Sequence, residues 1–143
     1  MDSGQSAILL SLVAHAEAIC AKDADRALSS QADELVLFDP APPLARTGVD
    51  ALQRNTPTSR FDAWLGAICY GLLNFAIAVA QDMGFAGGFV RIGGTKRDGH
   101  EVRVRSRQTT CLRNQGSAGK IMHEHISTPF HKDGLQSIWS LKP

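Results

Sequence analysis

Apolar spacing divides the chain into a helical first part and a β-patterned remainder. Over residues 6–21, Ile8, Leu12, His15, Ala16, Ile19 and Cys20 fall on one broad stripe at helical spacing. His15 therefore lies on or beside the buried face. Lys22 and Asp23 break this helix, and Asp23 can cap a short second one over residues 24–30. Residues 35–38 read as a short strand. The run Asp39-Pro-Ala-Pro-Pro43 ends it, because proline cannot continue a ladder. Residues 44–46 allow a brief strand. Thr47 can cap a third helix, with Asp50 favourably placed in its first turn. Residues 55–59 form a loop, and Phe61 to Trp64 pack over the sheet.

Beyond this point the period changes to two. Residues 67–80 are apolar on both faces, as in a long, well-covered strand, and Gly71 and Asn74 predict a bend or bulge in it. Residues 81–84 form a turn, residues 85–93 another strand and residues 93–99 a loop. Residues 100–129 read as an antiparallel hairpin turning through Gln115-Gly-Ser-Ala-Gly119. On its first arm Arg103, Arg105, Arg107, Thr109 and Cys111 share one side, and Val102, Val104, Ser106, Gln108, Thr110 and Leu112 the other. On its second arm Met122, Glu124 and Ile126 oppose Ile121, His123, His125 and Ser127. Ile138, Trp139 and Leu141 could dock the tail. Helices followed by four long antiparallel strands predict an α+β domain spanning residues 1–143. Its helices pack on one side of a strongly curved sheet that cups a pocket.

Charge changes little in this picture. Fifteen Lys and Arg balance fourteen Asp and Glu, which argues against nucleic acid or an anionic membrane as the main partner. The arginines between residues 91 and 113 read as a solvated or paired sheet face. Cys20, Cys69 and Cys111 form no CxxC, which fits reduced thiols and a cytoplasmic location. No stretch reaches the roughly 18 apolar residues of a membrane span. His123-Glu-His125 aims two rings the same way, yet only His100 and His131 remain to complete a metal site, so no metal is expected. Neither GxGxxG nor GxxxxGK[ST] occurs, and no cofactor is expected.

Six segments carry a family resemblance. They are Phe38-Asp-Pro-Ala-Pro-Pro-Leu44, Gly48-Val-Asp-Ala-Leu52, Phe61-Asp-Ala-Trp64, Gly94-Thr-Lys-Arg-Asp-Gly99, Arg107-Gln-Thr109 and His123-Glu-His-Ile-Ser-Thr-Pro129. In this order the chain resembles the SnoaL-like, ketosteroid-isomerase-like branch of the nuclear transport factor 2 (NTF2-like) superfamily. The resemblance implies an NTF2-like (cystatin-like) cone, with N-terminal helices on a strongly curved, mixed, mostly antiparallel sheet. It also implies an enclosed apolar pocket and a homodimer through the outer sheet face. Asp39-Pro40 matches the catalytic Asp and Pro of ketosteroid isomerases. Their oxyanion tyrosine falls on His15 and their second oxyanion acid near Thr109, so the base is kept and both donors change type. Gly119 stands where the family tends to have Trp.

The same resemblance turns Met122, Glu124 and Ile126 inward, with Arg105, Arg107, Thr109 and Cys111, and sends His123 and His125 outward. It thus implies Asp39, His15 and Thr109 as catalytic residues. Arg107, Glu124, Met122, Ile126, Phe38, Trp64 and Phe61 would hold a small apolar substrate. The implied reaction moves a proton next to a carbonyl, as in an isomerase, dehydratase or cyclase. Each residue also has a plainer reading: Asp39 as a turn residue, His15 as a satisfied core histidine, Glu124 and Arg107 as a structural ion pair. These leave open a non-catalytic small-ligand-binding or accessory dimeric domain.

Overall fold

A computed structural model of the protein describes residues 1–56, 60–115, 118–138, 140 and 142. Helix α1 (Ser3–Cys20) starts three residues earlier than the apolar stripe suggests. Asp2 accepts the Gln5 N–H at 2.8 Å and the Gln5 side chain accepts the Asp2 N–H at 3.0 Å, a reciprocal cap that carries the helix back beyond its first apolar residue. Helix α2 (Ala24–Ser29) is capped by Asp23 as expected, through the Arg26 N–H. The third helix, α3 (Val49–Leu52), is not capped by Thr47. Thr47 instead pairs with Val36 in a two-residue strand, and Gly48 makes the corner at φ +57°, where a side chain would be strained.

Six strands form one sheet: β1 (Gln31–Phe38), β2 (Arg46–Thr47), β3 (Trp64–Ala80), β4 (Met83–Lys96), β5 (Glu101–Gln115) and β6 (Ala118–Ser127). Their order is β2-β1-β6-β5-β4-β3, with β1 and β6 parallel and all other neighbours antiparallel. This is the expected α+β cone, N-terminal helices packed on a curved, unclosed, mixed sheet. The bulge predicted in the long apolar strand occurs at Asn74, whose φ is +53°, between Leu73 and Ala76. β4 runs to Lys96, through most of the loop predicted for residues 93–99, because Gly93, Gly94 and Thr95 keep pairing with β5. Part of the hairpin turn (116 and 117), the loop residues 57–59, and Trp139 and Leu141 lie outside the described residues.

Helix α1 lies mainly over β3, with lesser contact to β6 and β4. Two apolar clusters fill the space between helices and sheet. One gathers Ile8, Leu12, Leu35, Leu37, Leu112 and Ile121; the other gathers Ile19, Phe61, Trp64, Ile68, Tyr70 and Val90. Leu72 and Phe75 pack against both.

The faces of β5 are the reverse of those the family resemblance implies. Ser106, Gln108, Thr110 and Leu112 are buried, whereas Arg103, Arg107 and Thr109 are exposed and Arg105 and Cys111 half-buried. Register gives the reason. Thr110 pairs with Glu124 and Gln108 with Ile126, and directly opposed residues share a face. Leu112 pairs with Ile121 but Cys111 with His123, so Met122 is the extra residue of a bulge. An ungapped count back through the turn is therefore out of phase by one, which turns every β5 side chain to the wrong face. The bulge also brings Ile121 inward.

Candidate functional site

The inner face of the cone carries a chain of polar side chains where an enclosed apolar pocket was expected. It begins at Asp39, just past the end of β1, where prolines stop the strand. Arg54 follows α3 on a short 3-10 turn, Gln53–Asn55, and reaches inward from there. Its Nε lies 3.1 Å from Asp39 Oδ2, its Nη2 donates to Asp39 Oδ1 at 3.2 Å, and its Nη1 donates to Glu124 Oε1 at 3.0 Å. Glu124 Oε2 accepts from Gln108 Nε2 at 3.3 Å, and Gln108 Oε1 accepts from the Tyr70 hydroxyl at 2.7 Å. Gln108 Nε2 also donates to Thr110 Oγ1 at 2.9 Å. The ion-pair partner of Glu124 is thus Arg54, not Arg107. Arg107 is on the outer face and donates to Ser127 Oγ.

Burial makes this arrangement mutually dependent. The Glu124 side chain is 2% exposed and that of Arg54 7%. Burial disfavours the Arg54 charge, but Glu124 and Asp39 outweigh it and raise its pKa. Burial, then Glu124, pushes the Tyr70 hydroxyl up from its usual value, so it remains a neutral donor. Asp39 is the outlet of the chain: its side chain keeps 19% exposure and lines a cavity of about 430 Å³. Trp64, Ile92, Val102, Val104 and Ile126 supply apolar wall there, and Arg46, Arg54, Arg60 and Lys96 supply positive charge.

His15 lies deeper, at 4% exposure. Its Nδ1 is 2.6 Å from Ser30 Oγ, and that hydroxyl donates to Ala27 O. The pattern assigns the proton to Nδ1 and leaves Nε2 a bare acceptor without a partner among the described residues. Burial is the main reason its pKa is lowered, partly opposed by Glu124. Neutral His15 is therefore next to the polar chain electrostatically, while Asp39 alone of the three implied catalytic residues lines the cavity.

Thr109 is exposed on the outer face and pairs with His125. Of the expected substrate contacts, Trp64 and Ile126 line the cavity, Phe61 is in the core at 2% exposure, and Glu124 is in the polar chain. Met122 is the bulged residue of β6. Phe38 faces outward, its ring edge-on to His123 and His125 at 4.9 and 5.5 Å. His123 Nδ1 also contacts Val36 O at 2.8 Å. Among the described residues no three His, Cys, Asp or Glu side chains gather as metal ligands would. A second cavity, of about 420 Å³, opens between α1 and the β3–β4 turn. Gly119 lines it, and a Cβ there would meet only Ser11 and Leu112, at 3.4 and 3.6 Å.

A family model described as a SnoaL-like domain matches residues 9–131, which include every residue of the polar chain. The chain belongs to this SnoaL-like family. Solved structures similar to this SnoaL-like domain have the same fold. An NTF2-like protein of unknown function from Pseudomonas putida KT2440 has 23% identity and a TM-score of 0.86, over 99% of this chain and 97% of that one. A protein named as a candidate dehydratase of the NTF2-like family, from Streptomyces avermitilis, has 18% identity and a TM-score of 0.79, over 91% and 99%. A ketosteroid isomerase-like protein from Erwinia carotovora atroseptica SCRI1043 has 17% identity and a TM-score of 0.73, over 89% and 97%. No curated protein matches the sequence. Among the described residues of this SnoaL-like domain, no helix is long and apolar enough to cross a membrane.

Sequence patterns missed Arg54, Arg60, Tyr70, Lys96 and Gln108. Tyr70 did carry a signal. It is the one tyrosine of the chain, inside an otherwise apolar strand, and a buried phenol needs a partner for its hydroxyl. Arg54 carried none, because it sits on an aperiodic 3-10 turn.

Proposed function

We propose that this SnoaL-like domain is a cofactor-independent enzyme that moves a proton next to the carbonyl of a small molecule, in the manner of an isomerase or dehydratase. The observation that carries this reading is Asp39, a cavity-lining carboxylate held by Arg54 among apolar walls and further cations. Each Asp39 oxygen accepts one Arg54 N–H, which leaves lone pairs directed elsewhere. Asp39 takes the α-proton, the C–H electron pair moves onto the carbonyl oxygen, and nearby cations stabilise the enolate. The same carboxyl then returns the proton at the other end of the enolate system. Cations aimed at developing negative charge supply the electrostatic stabilisation this step needs. Asp39 keeps the role expected of it. Arg46, which lines the cavity with its Nε unpaired among the described residues, takes the stabilising role expected of His15 and Thr109. The outer sheet face, with Phe38, Phe85 and Thr109 exposed, serves as a homodimer surface in this reading.

The test is α-proton exchange in D2O, followed by NMR across short enones, β-keto acids and aromatic ketones. Asp39→Asn lowers exchange by about 10²–10⁴-fold, the usual contribution of a positioned base, while thermal unfolding confirms the fold. Unchanged exchange in the folded variant refutes the assignment.

A further inference from the structure

We propose that the natural ligand of this cavity is a small organic anion, its carboxylate gripped by Arg60 and Lys96 and its apolar body resting on Val102, Val104 and Ile126. The inference names a substrate class for the site of the proposed reaction and rests on that reading only in taking the cavity as the ligand site.

Charge imbalance carries it. Arg46, Arg54, Arg60 and Lys96 line the cavity, and among the described residues Asp39 is the only carboxylate that does. Asp39 is taken up by Arg54, whose Nη1 donates to Glu124 beneath. Even with Glu124 counted, four cations face two carboxylates, a local excess of two positive charges in a chain whose net charge is +1. A cavity that collects more positive charge than the whole molecule carries has concentrated it.

Three of these cations have no carboxylate partner among the described residues. Arg46 Nε is buried without a hydrogen bond. Arg60 donates to the neutral Asn55 Oδ1 at 2.9 Å and lies 5.7 Å from the Tyr70 ring centroid. Lys96 Nζ lies 3.8 Å from the Trp64 ring centroid, held by the indole face. Their crowding disfavours the charged forms of Arg60 and Lys96. Burial, then Arg54, lowers the Arg60 pKa to about 10. Burial, then Arg60, lowers that of Lys96. Crowded like charges oppose one another, and a ligand carboxylate relieves that opposition on binding. A neutral ketone does not. The lining fits an amphiphile rather than an inorganic ion, because the wall from Ile92 to Ile126 is apolar and the space suits a ligand of modest size.

Titration calorimetry on the full chain tests this with matched pairs: 3-phenylpropanoate against 3-phenylpropanamide, 2-naphthoate against 2-naphthamide, and octanoate against octanamide. At least one carboxylate binds about 10-fold or more tightly than its amide, as expected for charge-assisted hydrogen bonds. Lys96→Gln and Arg60→Gln each weaken that carboxylate severalfold and leave amide binding unchanged. Lys96 is half-buried, so its variant folds even if that of Arg60 does not. Equal affinities within every pair overturn the proposal. So does the absence of carboxylate binding at millimolar concentration, or a Lys96→Gln variant that binds carboxylate as the parent does. A keto acid built on the same apolar body, such as 4-phenyl-2-oxobutanoate, that binds selectively but shows no α-proton exchange refutes the proton-transfer reading and leaves this one standing.

Discussion

Replacing Arg54 by Met removes the one cation that two carboxylates share. Its length is nearly conserved, so little cavity forms and the change reports on charge. Glu124 then stays at 2% exposure with no guanidinium at 3.0 Å and, among the described residues, only the Gln108 amide as donor. Breaking a buried pair from one side costs about 3–5 kcal/mol, because the remaining charge is stranded in a poorly polarisable interior. Asp39 adds little, since its 19% exposure lets water replace the lost partner. For a chain of 143 residues, each kcal/mol moves the unfolding midpoint by about 3 °C, so Tm falls by roughly 10–15 °C. The assay is urea unfolding followed by tryptophan fluorescence and far-ultraviolet circular dichroism, with the m-value checked for constancy. Arg54→Met combined with Glu124→Gln recovers more than half of the loss, because a neutral amide is far cheaper to bury than an unpaired carboxylate. A single-variant loss below about 1 kcal/mol, the range of an exposed ion pair, refutes the account. A double variant no more stable than the single one refutes it equally.

Two further predictions probe the interior away from the ion pair. Because burial lowers the His15 pKa, the unfolded chain protonates this residue first as pH falls through about 6.5, and stability declines from there down to the lower folded-state pKa. His15→Gln flattens that part of the curve, by up to about 1.4 kcal/mol per pH unit, and parallel urea-midpoint profiles for the two proteins between pH 7.5 and 5 would rule the cause out. A Cβ at Gly88 would lie 2.6 Å from the Phe75 ring and 2.9 Å from Leu73 O, whereas one at Gly87 meets nothing nearer than Thr109 Oγ1 at 3.9 Å. Gly88→Ala therefore costs about 1–3 kcal/mol and Gly87→Ala stays within about 0.5, read by thermal unfolding; similar values for both would contradict the packing described for β3 on β4.

The fold was legible because its signals are long. Fourteen residues of two-sided apolar strand, a hairpin of alternating arms and a helical stripe each repeat over many positions, and they agree with one another. What failed were single-residue events. Asp2 extends α1 by a cap that leaves no apolar mark. Gly48 makes a corner that Thr47 was expected to make. Most consequentially, one extra residue at Met122 separates the phase of β5 from that of β6. Alternation on β5 named the two sets of side chains correctly, and Val102, Val104 and Leu112 marked the inward one, but the ungapped count in the family's register chose the other. Arg103, Arg105 and Arg107 all belong to the outward set, so hydrophobicity favoured the observed orientation. Pairing with Glu124 and Ile126 shows the set with the valines and the leucine to be the inner one.

The mixed character of the inner β5 face follows from what fills the cone. An apolar interior would have carried the Val and Leu pattern through the middle of β5. Here the inner face satisfies Glu124 and Tyr70 instead, so polar residues are required on it. Arg54 then acts in two capacities. It neutralises Glu124 within the interior, and it fixes both oxygens of Asp39 at the cavity wall. Lost activity in an Arg54 variant would consequently not distinguish a catalytic defect from a loosened core. Asp39→Asn does distinguish them. The amide oxygen can still accept from Arg54, Glu124 keeps its partner, and the only group removed from the cavity is the one that can take a proton.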